Sequence, residues 1–200
     1  MTKIKLCGIT RAEDIDTINR LQPDYIGFVF WARSKRNIDR QKAAELKKML
    51  LPGVKTVGVF VDEDVNYVAE LMNTGIIDAA QLHGNEDDDY IGSLRKLTEE
   101  SVIIKAFRIR NGDDLKTAEK STADMILLDA GKGEGKKFEW GLLKDFDRPY
   151  FLAGGLDTEN VTEAIRELHP YGVDVSSGIE RDGVKDAGLM EKFSEAVRKY

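Results

Sequence analysis

The chain is short of several things, and each shortage excludes a class of protein. Its 200 residues contain one cysteine, Cys7, so an intrachain disulfide and a multi-cysteine zinc site are both excluded. Two histidines, His83 and His169, are too few for a histidine-rich metal centre. Four prolines and no low-complexity stretch leave no linker between domains, so a single domain over 1–200 is expected. No apolar run approaches the roughly 20 residues that span a bilayer. Lys3 and Lys5 stand where a signal peptide would be apolar, which points to a cytoplasmic protein with no membrane partner. Positive charge is not in excess either. The formal net charge is −6, the reverse of the balance a nucleic-acid binder shows.

What is present is a core and a rhythm. Hydrophobic residues make up 42% of the chain, enough to exclude a mainly disordered one. Short, nearly continuous apolar runs occur at Ile4–Ile9, Tyr25–Phe30, Val54–Val61, Ala79–His83, Val102–Phe107, Met125–Asp129, Tyr150–Gly154 and Val173–Ser176. Strands buried on both faces of a parallel sheet read this way. Helical patterns lie between them, beginning at Thr10 and then at about 40–50, 64–74, 87–98, 113–120, 157–168 and 186–199. Thr10 with Glu13 reads as a capping box. Asp39, Asp64, Asp157 and Asp186 read as N-caps, because a carboxylate accepts the orphan N–H groups of a first turn. The unit after Asp129 is weak, with a Gly/Lys-rich loop and only Trp140–Lys144 for a helix.

Eight strand–helix units in 200 residues leave 25 residues each, which favours a small (β/α)8 TIM barrel. The alternative, a doubly wound open sheet, usually has a Gly-rich turn after its first strand; here Cys7-Gly8-Ile9-Thr10 follows, without G-x-G-x-x-G.

In a barrel the C-terminal ends of the strands build the active site. Those ends carry Cys7, Ser34-Lys35-Arg36, Gln81 with His83, Asp129, Gly154-Gly155, and Asp174-Val175-Ser176-Ser177-Gly178. Cys7 is either a small buried hydrophobe or a thiolate base, and the second needs about 2 kcal/mol of help from positive charge at pH 7. Asp129 is either a turn cap or a carboxyl at the rim of a dry pocket, where burial raises its pKa and keeps it protonated as a general acid. Arg36 is either one of a solvated cluster with Arg33, Lys35 and Arg40, or a fork for a substrate carboxylate. Gly154, Gly155 and Gly178 let backbone N–H groups approach an anion, and Ser176 and Ser177 add hydroxyls. Phosphate sites in such barrels use these loops and the N-terminus of a short extra helix. His83 reads as structural more readily than as catalytic, and His169 as the end of a helix. The Gly131–Lys137 stretch reads as a lid or anion-facing loop, not a P-loop.

These motifs together resemble one family. Lys5-Leu6-Cys7-Gly8-Ile9-Thr10 is similar to its K-x-C-G-[IL]-T opening, and Gly27-Phe28-Val29-Phe30 with Ser34-Lys35-Arg36 to its G-F-[VI]-F and S-x-R. Gln81-Leu82-His83-Gly84, Leu127-Leu128-Asp129, Ala153-Gly154-Gly155-Leu156 with Glu159-Asn160-Val161, and Val173–Glu180 follow in order along the whole chain. The set resembles the phosphoribosylanthranilate isomerases of tryptophan biosynthesis. The resemblance implies a (β/α)8 barrel and an Amadori rearrangement of N-(5-phosphoribosyl)anthranilate without metal or other cofactor, because the iminium intermediate is itself an electron sink. It implies Asp129 as general acid, Cys7 as general base, Arg36 on the anthranilate carboxylate, and the last two strand ends on the phosphate. Gln81, His83, Asp174, Ser176 and Ser177 join the candidate substrate contacts. Lys137, Glu139 and Thr158 depart from the family's usual Thr, Asp and Pro, which bears on loop closure and turnover rate. The partner expected is a small phosphorylated substrate, with the chain a monomer or a homodimer. A related phosphosugar isomerase or synthase, which would carry an aspartate or a lysine in place of Cys7, and a non-catalytic phosphate binder are the alternatives.

Overall fold

A computed structural model describes residues 1–99, 101–131, 140–144 and 146–200. Eight parallel strands close into a barrel in sequence order: β1 Lys3–Cys7, β2 Tyr25–Val29, β3 Lys55–Phe60, β4 Ala79–Leu82, β5 Val102–Arg108, β6 Met125–Asp129, β7 Tyr150–Ala153 and β8 Gly172–Val175. Helices α1 Ala12–Leu21, α2 Arg40–Met49, α3 Val65–Asn73, α4 Asp88–Leu97, α5 Gly112–Lys120, α6 Val161–Leu168 and α7 Ala187–Arg198 follow the strands, with a 3-10 turn at Trp140–Leu143 after β6. Each apolar run coincides with a strand to within one or two residues at either end. The weak unit is the one whose helix shrinks to a single turn.

The barrel has two cores because neighbouring strand residues face opposite ways. Ile4, Leu6, Ile26, Phe28, Ile103, Ile126, Leu128, Leu152, Val173 and Val175 point out and pack beneath the helices. Tyr25, Val57, Ala79, Ile104, Ala106, Leu127, Phe151 and Ala153 point in and fill the lumen. The bottom is closed by aromatics: Phe151 meets Tyr25 edge-on at 5.5 Å and Tyr171 at 5.4 Å. From this floor the inward faces rise to polar residues at the mouth, among them Cys7, Gln81, Asp129 and Asp174.

Helix starts follow local chemistry in most places. Asp39, Asp64 and Asp186 accept from first-turn N–H groups, as their positions suggest, and Asp87 and the Asn111–Asp114 capping box do the same for α4 and α5. Two expectations are corrected. The residue ahead of α1 is Arg11, with no side-chain cap, and Arg11 instead bonds the buried Asp14 carboxylate and the Lys185 carbonyl. The Thr10–Glu13 capping box is absent. Asp157 does not cap α6, which starts at Val161 after an uncapped Asn160. Its carboxylate accepts from the N–H groups of Glu159 and Asn160, so it builds a turn in the strand-to-helix loop.

A second small element lies past β8. Strands β9 Glu180–Arg181 and β10 Val184–Lys185 pair as an antiparallel hairpin. It lies between β8 and α7, where such barrels often carry a short extra helix, and the described residues hold no helix there. No helix of the described residues is long and apolar enough to cross a membrane. The expected lid at Gly131–Lys137 lies outside the described residues, apart from Gly131.

Candidate active site

A cavity of about 780 Å³ opens at the C-terminal ends of the strands. That volume suits a ligand of a few hundred daltons. Of the residues singled out by sequence, Cys7, Gln81, His83, Asp129, Gly154, Gly155, Asp174, Ser176 and Ser177 all line it. Arg36 and Gly178 do not. Trp31, Asp62 and Arg108 line it too and were not singled out.

Cys7 ends β1 beside Gly27 of β2, where a methyl group would lie 2.6 Å from the cysteine sulfur. Burial pushes the Cys7 thiol above its ordinary pKa, against the pull of Lys5 and Lys185. Cys7 is thus a thiol at neutral pH, and Lys5 and Lys185 supply part of the help that a thiolate requires.

Asp129 ends β6. Its Oδ1 accepts from the Gly131 N–H at 2.8 Å, and its Oδ2 lies 3.4 Å from Nε2 of His83. His83 is in turn 2.9 Å from the amide nitrogen of Gln81 through Nδ1. With that amide donating to Nδ1, the neutral ring keeps its proton on Nε2, facing Asp129. Burial acts to raise the Asp129 pKa, but the bonds from His83 and Gly131 outweigh it and hold the carboxyl below its ordinary value. This corrects the expectation that burial alone keeps Asp129 protonated. The desolvated carboxylate is repaid by two donors, which sequence spacing does not reveal.

Arg36 sits in the turn after β2 with its stem across Gly8. Its guanidinium forks onto Glu180 of the hairpin, Nε to Oε1 at 2.6 Å and Nη2 to Oε2 at 2.7 Å. It is therefore not one of a solvated cluster. Glu180 also accepts from Lys185 at 2.6 Å, so one carboxylate ties two cations at the rim near Cys7. Lys185 further donates to the Ser176 carbonyl at 2.9 Å, fastening the hairpin to the end of β8.

The loops after β7 and β8 touch closely. Gly154 has φ +94°, and a methyl there would fall 2.5 Å from both Asp129 Oδ1 and the Gly131 nitrogen. Gly178 lies so close to the Leu156 carbonyl that a Cβ would approach it to 2.0 Å, and it forms a bridge with Asp157. These two glycines lock the β6, β7 and β8 ends together, with Gly155, Ser176 and Ser177 left facing the cavity. Among the described residues, no group of three His, Cys, Asp or Glu is arranged to hold a metal ion.

The arrangement provides a sulfur and a carboxyl on different strands of one cavity, with glycine- and serine-lined loops between them. That is the equipment for moving protons on an anionic substrate. Sequence reasoning missed Lys5, Glu180 and Lys185. Of these, only Lys5 left a signal, lying two residues before Cys7 on the same face of a strand.

The sequence profile of the N-(5'-phosphoribosyl)anthranilate isomerase family matches residues 4–196. The N-(5'-phosphoribosyl)anthranilate isomerase of Caldanaerobacter subterraneus is 45% identical, over 99% of this chain and 98% of its own length. That of Clostridium acetobutylicum is 42% identical over the whole of both chains. The crystal structure of phosphoribosyl anthranilate isomerase from Thermotoga maritima superposes with a TM-score of 0.91 at 35% identity, covering both chains fully. A second such structure, at TM-score 0.89 and 34% identity over both full chains, is a complex with reduced 1-(o-carboxyphenylamino)-1-deoxyribulose 5-phosphate. A barrel with polar strand ends at one mouth, matched from end to end in sequence and in structure, belongs to the N-(5'-phosphoribosyl)anthranilate isomerase family, the isomerases of tryptophan biosynthesis.

Proposed function

We propose that this cavity converts N-(5-phosphoribosyl)anthranilate to 1-(2-carboxyphenylamino)-1-deoxyribulose 5-phosphate, with Asp129 as acid and Cys7 as base. The observation that carries the assignment is that Cys7 and Asp129 line one cavity from strand ends separated by β7 and β8. Asp129 gives its proton to the ring oxygen of the ribose, the C1–O bond breaks, and a Schiff base to the anthranilate nitrogen forms. Cys7 takes the proton from C2 of the sugar. The electron pair moves into the C1–C2 bond and onto nitrogen, giving an enolamine that tautomerises to the ketone. The substrate's own iminium accepts the electrons.

Burial of Cys7 and the bonds to Asp129 favour the opposite protonation in the free protein, a thiol and a carboxylate. The active form has the same number of protons, with one moved from sulfur to carboxyl. Substrate entry favours that move at Asp129, because a phosphate and a carboxylate bring negative charge to the cavity and like charge raises a carboxyl pKa. At Cys7 burial, Asp174 and the incoming negative charge oppose the move, and Lys5 and Lys185 counter them.

In this reading the β7 and β8 loops, with Gly155, Ser176 and Ser177 lining the cavity, hold the phosphate. Arg36 faces the anthranilate carboxylate in this reading. It reaches that group by sharing or exchanging Glu180, which already holds its fork in a bidentate carboxylate geometry. Gln81, His83 and Asp174 border the sugar. The enzyme works in the cytoplasm on a small phosphorylated substrate, as a monomer or a homodimer; the isomerase from T. maritima is described as dimeric.

The test is direct. Purified protein should consume N-(5-phosphoribosyl)anthranilate, read as loss of anthranilate fluorescence, without added metal or cofactor. Binding of phosphorylated ligand with no turnover would favour a non-catalytic binder instead, and turnover of a different phosphosugar alone would favour a related isomerase.

A further inference from the structure

Two charges beneath the mouth have no part in the scheme above as bases or acids. Lys5 is fully buried, and its ammonium donates to Asp174 Oδ1 at 2.9 Å. The register of β1 against β8 places the two residues side by side. Ile4 and Leu6 point outward into the helix-covered core, so Lys5 and Cys7 share the inward face of β1, about 6.6 Å apart along the strand. Cys7 and Asp174 line the cavity; Lys5 does not. Lysine is costly to bury, and barrels of this kind fill the lumen with apolar side chains. Here an ammonium stands one step below the reactive sulfur, out of reach of any substrate.

The charges that face Cys7 come from four elements. Lys5 lies on β1, Asp174 on β8, Lys185 on β10, and Arg36 in the turn after β2. Arg36 and Lys185 share the Glu180 carboxylate. Asp129 and His83 line the same cavity from the side of β6 and β4. In formal charge, three cations and two carboxylates surround the sulfur, so the group carries one positive charge with a thiol and none with a thiolate. Lys5 is itself held in its charged form by Asp174, against full burial.

We propose that Lys5 is a positioning residue for the isomerisation: its buried ammonium, fixed by Asp174, favours the thiolate of Cys7. The proposal rests on the reading of Cys7 as base, but its test does not. Because Cys7 is the one cysteine of the chain, alkylation by iodoacetamide reports its ionisation alone. The pH dependence of that reaction is measured on the full chain by mass spectrometry, without substrate.

In Lys5→Met the midpoint should move up by about one pH unit or more, the effect of losing a nearby opposite charge. In Asp174→Asn it should move down, because a neighbouring anion has gone. Lys5→Arg, which keeps the charge, should stay with the wild type. Opposite shifts in the two neutralised variants support the proposal, because a merely structural role would not reverse sign. An unchanged midpoint in both, or shifts in one direction, would overturn it. Should Lys5→Met fail to fold by circular dichroism, Lys5→Gln, which keeps a polar partner for Asp174, is read in its place: an upward shift supports the proposal and an unchanged or downward midpoint rejects it. If the shifts appear but Cys7→Ala still isomerises at full rate, the influence of Lys5 on the sulfur stands and the assignment of Cys7 as base falls.

Discussion

Cys7 and Asp129 end strands on different sides of the same barrel mouth, and their surroundings are built in different ways. Around Cys7 stand a buried pair, Lys5 with Asp174, and a part-buried trio, Arg36 and Lys185 on Glu180, held by charged bonds of 2.6 to 2.9 Å. Around Asp129 there is one backbone donor and one imidazole at 3.4 Å, with side-chain exposures of 33% for His83 and 25% for Asp129. A thiol pushed up by burial cannot act as a base unless positive charge is already in place, so that side is assembled before substrate arrives. A carboxylate held down by two donors gains its proton when an anionic substrate enters, so that side stays responsive. One side is fixed electrostatics and the other is a loaded equilibrium.

The largest effects should come from the two groups themselves. Cys7→Ala and Asp129→Asn should each lower kcat/KM by about 10²- to 10⁴-fold in steady-state fluorescence assays, with circular dichroism unchanged. A loss in only one of the two would break the pairing of base and acid. Next comes the rim of the base side. Arg36→Met should raise KM by about 10- to 100-fold with kcat little changed, the loss of charge-assisted bonds to a carboxylate. A fall in kcat at constant KM would mean that Arg36 serves the sulfur and not the substrate.

On the acid side, Gly154→Ala should cost about 1–2 kcal/mol of stability in urea melts, because a side chain is forced to positive φ. It should also lower kcat/KM, since the added methyl meets the Asp129 carboxylate. Full activity with lowered stability would detach Gly154 from the acid. The smallest effect concerns pH. His83 holds the Asp129 carboxyl below its ordinary value. In His83→Leu that bond is gone and the Asp129 pKa rises, so the acid limb of kcat/KM, which reads the free enzyme, should move to higher pH. A shift to lower pH would show that His83 does not stabilise the carboxylate.

Much of the barrel was legible because a strand buried on both faces has to be written in apolar residues, and eight such runs stand out from the polar helices between them. Cys7 and Asp129 were legible for a related reason, as single polar residues at the ends of those runs. The pair of Arg36 with Glu180 was not, since it joins residues 144 apart in sequence through a hairpin of only two residues per strand. Lys5 was overlooked although it shares a strand face with Cys7, because a lysine is seldom buried; the closed barrel shows that this one is. The pKa direction of Asp129 depends on His83, two strands away in the ring, and no local pattern carries it. Thr10 and Asp157 mislead because capping chemistry and turn chemistry use the same residue types.

The most direct test of the division of labour uses substrate carrying deuterium at C2 of the ribose. Its kinetic isotope effect on kcat/KM is compared in Cys7→Ser and Asp129→Asn. With Cys7 as base and Asp129 as acid, slowing the base makes proton removal from C2 rate-limiting, so Cys7→Ser shows a normal isotope effect. Slowing the acid makes ring opening rate-limiting, so Asp129→Asn shows almost none. A normal effect in Asp129→Asn together with none in Cys7→Ser would contradict the assignment and exchange the roles of the two sides of the mouth.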